Sequence, residues 1–171
     1  MSGATGEFPR FVPLMRLGSE PFRQRIAASE SERAALAKRF DLVSLDRLEA
    51  EVELVREIGG TILLTADFAA DFAQHCIVTL DPVPGGVSER FQLRYGPPDV
   101  EAEVPDGDDD PAFEPFTGEV IDIGEAVAQE FSLALPPFPR AADAAIEKDA
   151  ARMAADGPFV ALARLKRQEP Q

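Results

Sequence analysis

A strict alternation of aliphatic and acidic residues between Leu48 and Leu54 constrains the fold of this chain more than any other feature of its sequence. The segment reads LEAEVELV, and its two sets are Leu48, Ala50, Val52 and Leu54 on one side and Glu49, Glu51 and Glu53 on the other. Successive side chains of a strand point to opposite faces, so a period of two buries one set and solvates the other. The alternation predicts a half-solvated antiparallel strand whose glutamates form a solvent-facing row, not a catalytic pair.

Further strands are predicted on both sides of this segment. Gly59-Gly60 supplies a turn with positive φ, and TILLTADF returns from it. The stretch QHCIVTL, residues 74–80, continues this strand as far as Asp81-Pro82. PVPGG then forms a loop before the next strand, SERFQLRY. The predicted fold class is α+β, with an antiparallel, curled sheet or partly open barrel and a few flanking helices.

Two helices are indicated by capping signals. Ser29 and Glu32 have the spacing of a capping box, in which each side chain satisfies an amide at the helix start, and a helix from about Glu30 to Phe40 follows. Asp122 and Glu125 repeat this spacing. In the second helix Ile123, Val127 and Phe131 recur every four residues, which places them on one core-facing stripe. The prolines at 136, 137 and 139 end that helix.

The charge of the chain is unusually negative and unevenly distributed. The formal net charge is -14 over 171 residues, and no lysine or arginine occurs from Gly96 to Pro139. A length of 171 residues fits a single domain over 1–171. Acidic residues and prolines predict a mobile acidic loop at about 97–116. An alanine-rich stretch predicts a helical C-terminal segment at about 141–167.

Several classes of protein are disfavoured by composition. A surface this negative repels phosphate backbones and anionic membranes and attracts basic partners. A single cysteine rules out an intramolecular disulfide and fits a reducing compartment. The N-terminal segment lacks the layout of a signal peptide, and no apolar run approaches the roughly 20 residues that span a bilayer. We therefore expect a cytoplasmic protein without a membrane partner.

His75 and Cys76 are the single histidine and the single cysteine of the chain, and they are neighbours. On a strand they point to opposite faces, so they cannot converge on one metal ion or act together as base and nucleophile. No second cysteine or histidine exists to complete a zinc site. The alternation of Cys76 with Val78 and Leu80 instead predicts a small buried core residue.

The acidic stretch DGDDDPAFEPFT matches a calcium-binding loop only in its first half. Asp106, Asp108 and Asp110 occupy the first three oxygen positions of an EF-hand loop. Pro111 stands where that loop needs glycine, and Thr117 where it needs a bidentate glutamate. No phosphate-binding loop or nucleophile elbow is present either. The sequence therefore predicts no catalytic residue, no metal site and no cofactor.

Two motifs in the second half of the chain resemble a known family. The first ends the predicted second helix and consists of Leu133, Ala134, Leu135, Pro136 and Pro139. The second lies near the C-terminus and consists of Pro158, Phe159, Leu162, Leu165 and Lys166. In order and spacing, together with HCIVTL, they resemble the YceD family of large ribosomal RNA subunit accumulation proteins. The resemblance extends from about Leu45 to the C-terminus.

The resemblance also has implications for Cys76. Many members of the family carry Cys-x-x-Cys where this chain has Cys76 to Thr79, and further cysteine or histidine residues after the Pro-x-x-Pro pattern. Here Thr79 replaces the second cysteine, and RAADAA supplies no ligand. The resemblance therefore implies that any metal site of the wider family is missing from this chain.

Membership implies a non-enzymatic role in accumulation or processing of large-subunit ribosomal RNA. Because the net charge disfavours a direct grip on RNA, the expected partner is a basic ribosomal or assembly protein, with precursor ribosomal RNA possible in the complex and no small-molecule substrate. The candidate partner-binding residues are Asp106, Asp108, Asp109, Asp110, Arg164, Lys166 and Arg167. Two alternatives stay open: a metal-assisted hydrolase that uses Asp108 and Asp110, and an acidic protein-interaction module unrelated to ribosomes.

Overall fold

The computed structural model describes residues 6–97, 111–116 and 118–144. Within these ranges the chain forms seven strands, two α-helices and a 3-10 helix at Leu14–Arg16. The strands are β1 (Phe11–Pro13), β2 (Phe22–Ala27), β3 (Ser44–Arg56), β4 (Ile62–His75), β5 (Pro82–Gly96), β6 (Ala112–Pro115) and β7 (Val120–Asp122). The helices are α1 (Glu30–Arg39) and α2 (Ile123–Ala134). Neither helix has the length and apolar character needed to cross a membrane.

Five of these strands form one open sheet in the order β2-β3-β4-β5-β6, and β1 pairs with β7 in a small separate sheet. The α+β class is confirmed. The predicted antiparallel pairing holds from β2 to β5, but β6 runs parallel to β5, and the sheet is not closed into a barrel by any described strand. The parallel strand escaped prediction because its four residues, AFEP, are too few to show a period.

The inner face of the main sheet carries the core that the alternation predicted. Leu48, Ala50, Val52 and Leu54 are all buried, and so are the even-numbered residues of β4 from Ile62 to Phe72. Phe131 of α2 packs edge-to-face on Phe72 of β4 and on Phe40 at the end of α1. The aromatic contacts therefore join both helices to the same face of the sheet. Ile123 and Val127 are buried with Phe131, which confirms the predicted stripe.

The hairpin between β3 and β4 turns at Gly59 and Gly60, as predicted. Their φ angles are 99° and 88°, values that L side chains rarely adopt. The hydrogen bond from the Glu57 amide to the Thr61 carbonyl closes the turn at 2.9 Å. The two strands then pair without a shift from Arg56↔Ile62 back to Arg47↔Asp71.

The predicted PVPGG loop is wrong, because these residues form the first part of β5. The amide of Cys76 donates to the carbonyl of Asp81, and β4 and β5 pair in continuous register from His75↔Pro82 to Ile62↔Tyr95. Hydrogen-bonding direction alternates along an antiparallel strand, so odd-numbered residues of β5 bond to β4 and even-numbered ones face away. Pro82 and Pro84 are even-numbered. Their missing N–H groups therefore cost the ladder nothing.

The prediction that QHCIVTL is a strand is also wrong beyond its second residue. β4 ends at His75, and residues 77–79 form a turn whose Leu80 amide donates to the Cys76 carbonyl at 2.9 Å. Leu80 has a φ of 65°, a left-handed conformation that a leucine rarely adopts, and its side chain is exposed. The alternation of Cys76, Val78 and Leu80 is thus a coincidence of spacing. The burial predicted for Cys76 is confirmed.

The caps of both helices are where the sequence placed them, but they differ in kind. Ser29 and Glu32 form a complete capping box at the start of α1. At α2, Asp122 accepts hydrogen bonds from the amides of Gly124 and Glu125, whereas the Glu125 carboxylate pairs with Arg39 of α1. Glu125 therefore ties the two helices together instead of completing a second capping box.

The N-terminal segment is held against the start of α2 by very close packing. The Arg10 amide donates to Asp122, and the Ile123 amide donates to the carbonyl of Arg10. At Gly124 an added Cβ atom would lie 1.9 Å from the Phe8 carbonyl oxygen. A glycine is needed at 124 because no side-chain atom fits at that distance.

Two predicted regions fall largely outside the described residues. Of the acidic loop at about 97–116, residues 98–110 lie outside, and 112–115 are strand β6. Of the helical segment at about 141–167, the structure describes residues 141–144, which form a turn.

We predict that Gly124→Ala destabilises the protein by about 3 kcal/mol, because the added methyl group must push the N-terminal segment off α2. Gly18→Ala is the matched control, since nothing lies within 4 Å of a Cβ atom built there. Urea unfolding of both variants measures the difference. Equal stability of Gly124→Ala and the parent would contradict the packing described for Phe8 and Gly124.

Candidate functional site: a cysteine turn and two charged faces

The turn that follows β4 is organised around the sulfur of Cys76. The amides of Val78 and Thr79 donate to Cys76 Sγ at 3.4 and 3.5 Å, so the turn wraps around the side chain. A third donor comes from a distant part of the chain, the amide of Ala141 at 3.5 Å. Solvent does not reach the cysteine side chain. Cys76 therefore joins the turn to the segment that follows α2.

These donors change the acidity of the thiol. The pKa of Cys76 falls to about 6, because the Ala141 amide stabilises the thiolate most and Thr79 and Val78 add to it. Burial acts in the opposite direction and is outweighed. These donors therefore favour the thiolate form of Cys76. Being enclosed, the sulfur serves as the acceptor that holds the turn together.

The motif at the end of α2 supplies most of the remaining contacts to this turn. The carbonyl of Pro136 accepts a hydrogen bond from Gln74 Nε2 at 3.2 Å. The carbonyl of Pro139 accepts one from the Ile77 amide at 3.0 Å. Leu135 is half-buried against the core, whereas Leu133 is 78% exposed. The prolines therefore orient backbone acceptors toward the Cys76 turn, which gives this motif a structural role.

The metal site implied by the wider family does not fit the residues of this turn. Zinc in such sites needs several thiolate or imidazole ligands. Here one thiolate is present, Thr79 stands at the position of the second cysteine, and the nearby segment contributes the Ala141 amide, a donor that cannot bind a cation. Among the described residues no group of three histidine, cysteine, aspartate or glutamate side chains is arranged to hold a metal ion. The described contacts of Cys76 Sγ are amide hydrogen bonds.

The outer face of the main sheet carries carboxylates that are matched by arginines. Glu49 and Glu53 of β3 pair with Arg25 and Arg23 of β2. Arg47 bridges Glu49 and Asp71 at 2.9 and 2.7 Å. The predicted solvent-facing glutamate row is confirmed, and its charge is largely compensated on the same face. These exposed pairs contribute little stability each, so their main effect is on the surface potential.

On the inner side, β5, β6 and α2 bring together three carboxylates that have no arginine partner among the described residues. We call Glu89, Glu114 and Glu130 the carboxylate trio. Partial burial raises the pKa of Glu130, and the negative charges of Glu89 and Glu114 raise it further. The pKa of the neighbouring Tyr95 is also raised, first by burial and then by Glu114. The trio therefore concentrates negative charge around Glu130.

The sequence-based site prediction missed the trio, although one signal for it was present. Glu89 has the same parity as Phe91, Leu93 and Tyr95, so a charged residue occupies the apolar side of a strand. Glu114 and Glu130 could not be added from sequence, because their proximity depends on the parallel strand β6 and on the path of α2.

The residues predicted to bind a partner all lie outside the described ranges: Asp106, Asp108, Asp109, Asp110, Arg164, Lys166 and Arg167. The same holds for the C-terminal motif residues Pro158, Phe159, Leu162 and Leu165. Their roles stay predictions. Of the family-motif residues, Cys76, Leu133, Leu135, Pro136 and Pro139 are described, and the hydrogen bonds above bring the cysteine and the prolines together.

Comparison with known proteins gives a family match. The family model described as large ribosomal RNA subunit accumulation protein YceD matches residues 64–164. This region begins within β4 and takes in the Cys76 turn, the carboxylate trio and α2. No curated protein and no solved structure matches the chain at the level required for significance.

We predict that Cys76 makes the stability of the protein depend on pH between about 6 and 9. The folded-state pKa is about 6, below the ordinary value of 9.0, so the unfolded state binds more protons in this window and the free energy of unfolding rises with pH. This contribution is lost as pH falls through 6. Cys76→Ala lacks it, so urea titrations at pH 6, 7, 8 and 9 should show a rise in the parent that is missing from the variant. Parallel pH profiles would contradict a stabilised thiolate.

We predict that Glu130→Gln stabilises the protein at neutral pH. The folded-state pKa of Glu130 is raised, so the folded state holds its proton longer, and the free energy of unfolding of the parent falls as pH rises through that pKa. The glutamine variant avoids this loss and should gain about 0.5 kcal/mol, a small figure because solvent screens the trio. Thermal unfolding at pH 4 and pH 7 measures it. Glu51→Gln, on the outer face of β3, is the control, and a gain in both variants would contradict a destabilising environment specific to Glu130.

Proposed function

The chain belongs to the YceD family of large ribosomal RNA subunit accumulation proteins, and from this membership we propose that it is a non-enzymatic factor for large-subunit biogenesis. The family name indicates a role in accumulation of the large-subunit ribosomal RNA. The proposal adds a mechanism: the protein binds a basic ribosomal or assembly protein through its uncompensated carboxylates, in the cytoplasm.

The observation that carries this mechanism is the contrast between the two faces of the sheet. On the outer face arginines of β2 and β3 neutralise the glutamate row. On the inner side the trio faces no comparable set of arginines within the described residues, and the sequence from Gly96 to Pro139 contains no lysine or arginine at all. A cationic partner would relieve the repulsion from Glu89 and Glu114 that, after partial burial, raises the pKa of Glu130. Negative charge is therefore concentrated where it can recruit such a partner.

Direct binding of RNA is disfavoured as the main mechanism. Binding to a phosphate backbone depends on lysine and arginine side chains that displace counterions. The net charge of the chain is -14, so the chain as a whole repels such a backbone. Arg164, Lys166 and Arg167 form the basic segment that we propose as a secondary contact to precursor RNA within a complex. In this view the acidic surface selects a basic protein, and the C-terminal segment adds affinity for the precursor RNA in the same complex.

Two observations favour a binding role over an enzymatic one. Cys76, which has the most nucleophilic character of the described side chains, is enclosed by its own turn and by Ala141. The described residues also offer no cluster that could hold a catalytic metal ion. A hydrolase that uses Asp108 and Asp110 would show activity dependent on Mg²⁺ or Mn²⁺, and loss of that activity on substitution of both residues by asparagine would favour the alternative.

The functional test is a deletion strain complemented with the parent gene. We expect the deletion to lower mature large-subunit ribosomal RNA relative to the small-subunit RNA and the parent gene to restore it. Capture of partners from lysate, with and without nuclease, then separates the mechanisms. Recovery of one basic protein in both arms supports the proposal, whereas recovery of precursor RNA only in the untreated arm supports direct RNA contact. Normal RNA ratios in the deletion strain would overturn the ribosomal role.

We predict that replacing Asp106, Asp108, Asp109 and Asp110 by asparagine slows capture of the basic partner by about ten-fold at low salt, with little change in the dissociation rate, because exposed charges act mainly on encounter. The difference should shrink as salt rises, since the Debye length is about 8 Å at physiological ionic strength. A control with the same loss of charge replaces the exposed residues Glu20, Asp46, Glu51 and Asp67 by their amides. Equal slowing by both sets would indicate net charge alone and contradict a localised acidic site.

A further inference from the structure

Strand β5 has a long edge that the described strands leave without a partner. It runs from Pro82 to Gly96, but β6 pairs with it only from Leu93 to Gly96. The even-numbered residues of β5 direct their amides and carbonyls away from β4, as the bond from the Phe116 amide to the Gly96 carbonyl also shows. The backbone groups of the even-numbered residues from Pro82 to Gln92 therefore face outward on that side.

The two ends of this open edge differ in the hydrogen bonds that their backbone groups can form. Pro82 and Pro84 have no N–H group, so the first part of the edge accepts hydrogen bonds but cannot donate them. Gly86, Ser88 and Arg90 each present one amide and one carbonyl, and all three are exposed. Three successive outward residues are enough to pair with a short extended segment, whereas the prolines limit pairing with longer strands.

The charges beside this edge are negative on its inner side. Glu89 lies between Ser88 and Arg90 and points to the inner face, where it is close enough to Glu130 of α2 to raise that residue's pKa. Glu114 belongs to β6, the strand that continues the same edge. The opposite edge of the sheet, β2, instead carries the exposed residues Arg23 and Arg25. The two edges therefore differ in the sign of the side chains that a new strand would meet.

We propose that the edge of β5 from Gly86 to Arg90 binds an extended basic segment of a partner protein by strand addition, with Glu89, Glu114 and Glu130 selecting its lysine or arginine side chains. This inference rests on the proposed function, for which it names the binding surface and the form of the partner. Main-chain hydrogen bonds supply affinity that tolerates changes in sequence. Side chains of the added strand alternate between faces, so a basic residue at every second position meets the trio.

A second copy of this chain is a poorer occupant than a basic segment. Antiparallel pairing of two β5 edges would bring the trio of one copy toward the trio of the other, and like charges that face each other across strands are destabilising. Pairing of β5 with the β2 edge of another copy is a separate outcome, because it would extend into a concentration-dependent assembly.

The direct experiment uses synthetic peptides and amide hydrogen exchange on the full chain. The probe is a seven-residue peptide of sequence Lys-Thr-Lys-Val-Lys-Thr-Lys, and a peptide with glutamate in place of each lysine is its control. We expect the basic peptide to slow exchange at Gly86, Ser88 and Arg90 and the acidic peptide to leave exchange unchanged. Protection confined to the β2 edge, protection by both peptides, or no protection at either edge would overturn the proposal.

Proline scanning tests the backbone part of the proposal. Ser88→Pro removes an outward amide and should leave the ladder to β4 intact, as Pro82 and Pro84 do. Ala27→Pro is the matched control, because the same alternation turns the Ala27 amide outward from β2. We expect Ser88→Pro to weaken binding of the basic peptide by about ten-fold and Ala27→Pro to leave it unchanged. Circular dichroism checks that both variants fold.

A charge reversal keeps the proposal testable if Ser88→Pro does not fold. Glu89→Lys changes an exposed side chain and no backbone group, and it should abolish binding of the basic peptide while Glu51→Lys on the outer face does not. Unchanged binding by Glu89→Lys would overturn the proposal.

The deletion strain distinguishes failure of the β5-edge proposal from failure of the proposed ribosomal function. Full rescue by Glu89→Lys in a strain that needs the parent gene rejects the β5 edge and retains the ribosomal role, whereas a deletion strain with normal ribosomal RNA rejects that role whatever the peptides do.

Discussion

The pleat of the main sheet links two properties of every residue in it: the face on which its side chain lies and the side to which its amide and carbonyl bond. In β5 the odd-numbered residues have side chains on the inner face and hydrogen bonds to β4. The same alternation therefore decides that Leu93 and Tyr95 join the core, that Glu89 joins the carboxylate trio, and that Pro82 and Pro84 are harmless. The placement of the carboxylate trio, the composition of the core and the hydrogen bonds that the sheet edge can form therefore follow from one geometric rule.

The Cys76 turn is joined to the segment after α2 by hydrogen bonds to a single sulfur atom. The resemblance to the YceD family implies that any metal site of the wider family is missing here, and the structure brings the turn and the segment after α2 together. They are joined here by amide hydrogen bonds to one thiolate, with the carbonyls of Pro136 and Pro139 as further acceptors. The low pKa of the thiol follows from this arrangement, since each donor favours the negative form.

Local patterns in the sequence were enough to predict the elements that depend on local physics. The Ser29 capping box, the turn at Gly59 and Gly60, and the apolar stripe of α2 are all where the sequence placed them. The predictions failed where the local structure depends on which strands pair and in which register. Proline was interpreted as a loop residue at 82–84, although it is tolerated wherever its missing amide would face outward, and that direction is fixed by the register with β4.

The candidate site was less predictable than the fold for the same reason. The trio unites residues from β5, β6 and α2, which are far apart in sequence, and the small parallel strand β6 that positions Glu114 has no pattern of its own. Sequence reasoning did locate the excess of negative charge between Gly96 and Pro139. It could not reveal that the outer-face glutamates are matched by arginines, because those pairs depend on the alignment of β2 with β3.

The positive charges that neutralise the outer face are all arginines, and this choice has a consequence for amine chemistry. Lys38 on α1 is the one lysine in the part of the chain that the structure describes. Guanidinium groups do not react with the activated esters used for crosslinking and fluorescent labelling, and they are not substrates for acetylation of amines. Such reagents will mark α1 and leave both faces of the sheet untouched, so a crosslink through Lys38 reports what lies beside that helix and is silent about the edge of β5.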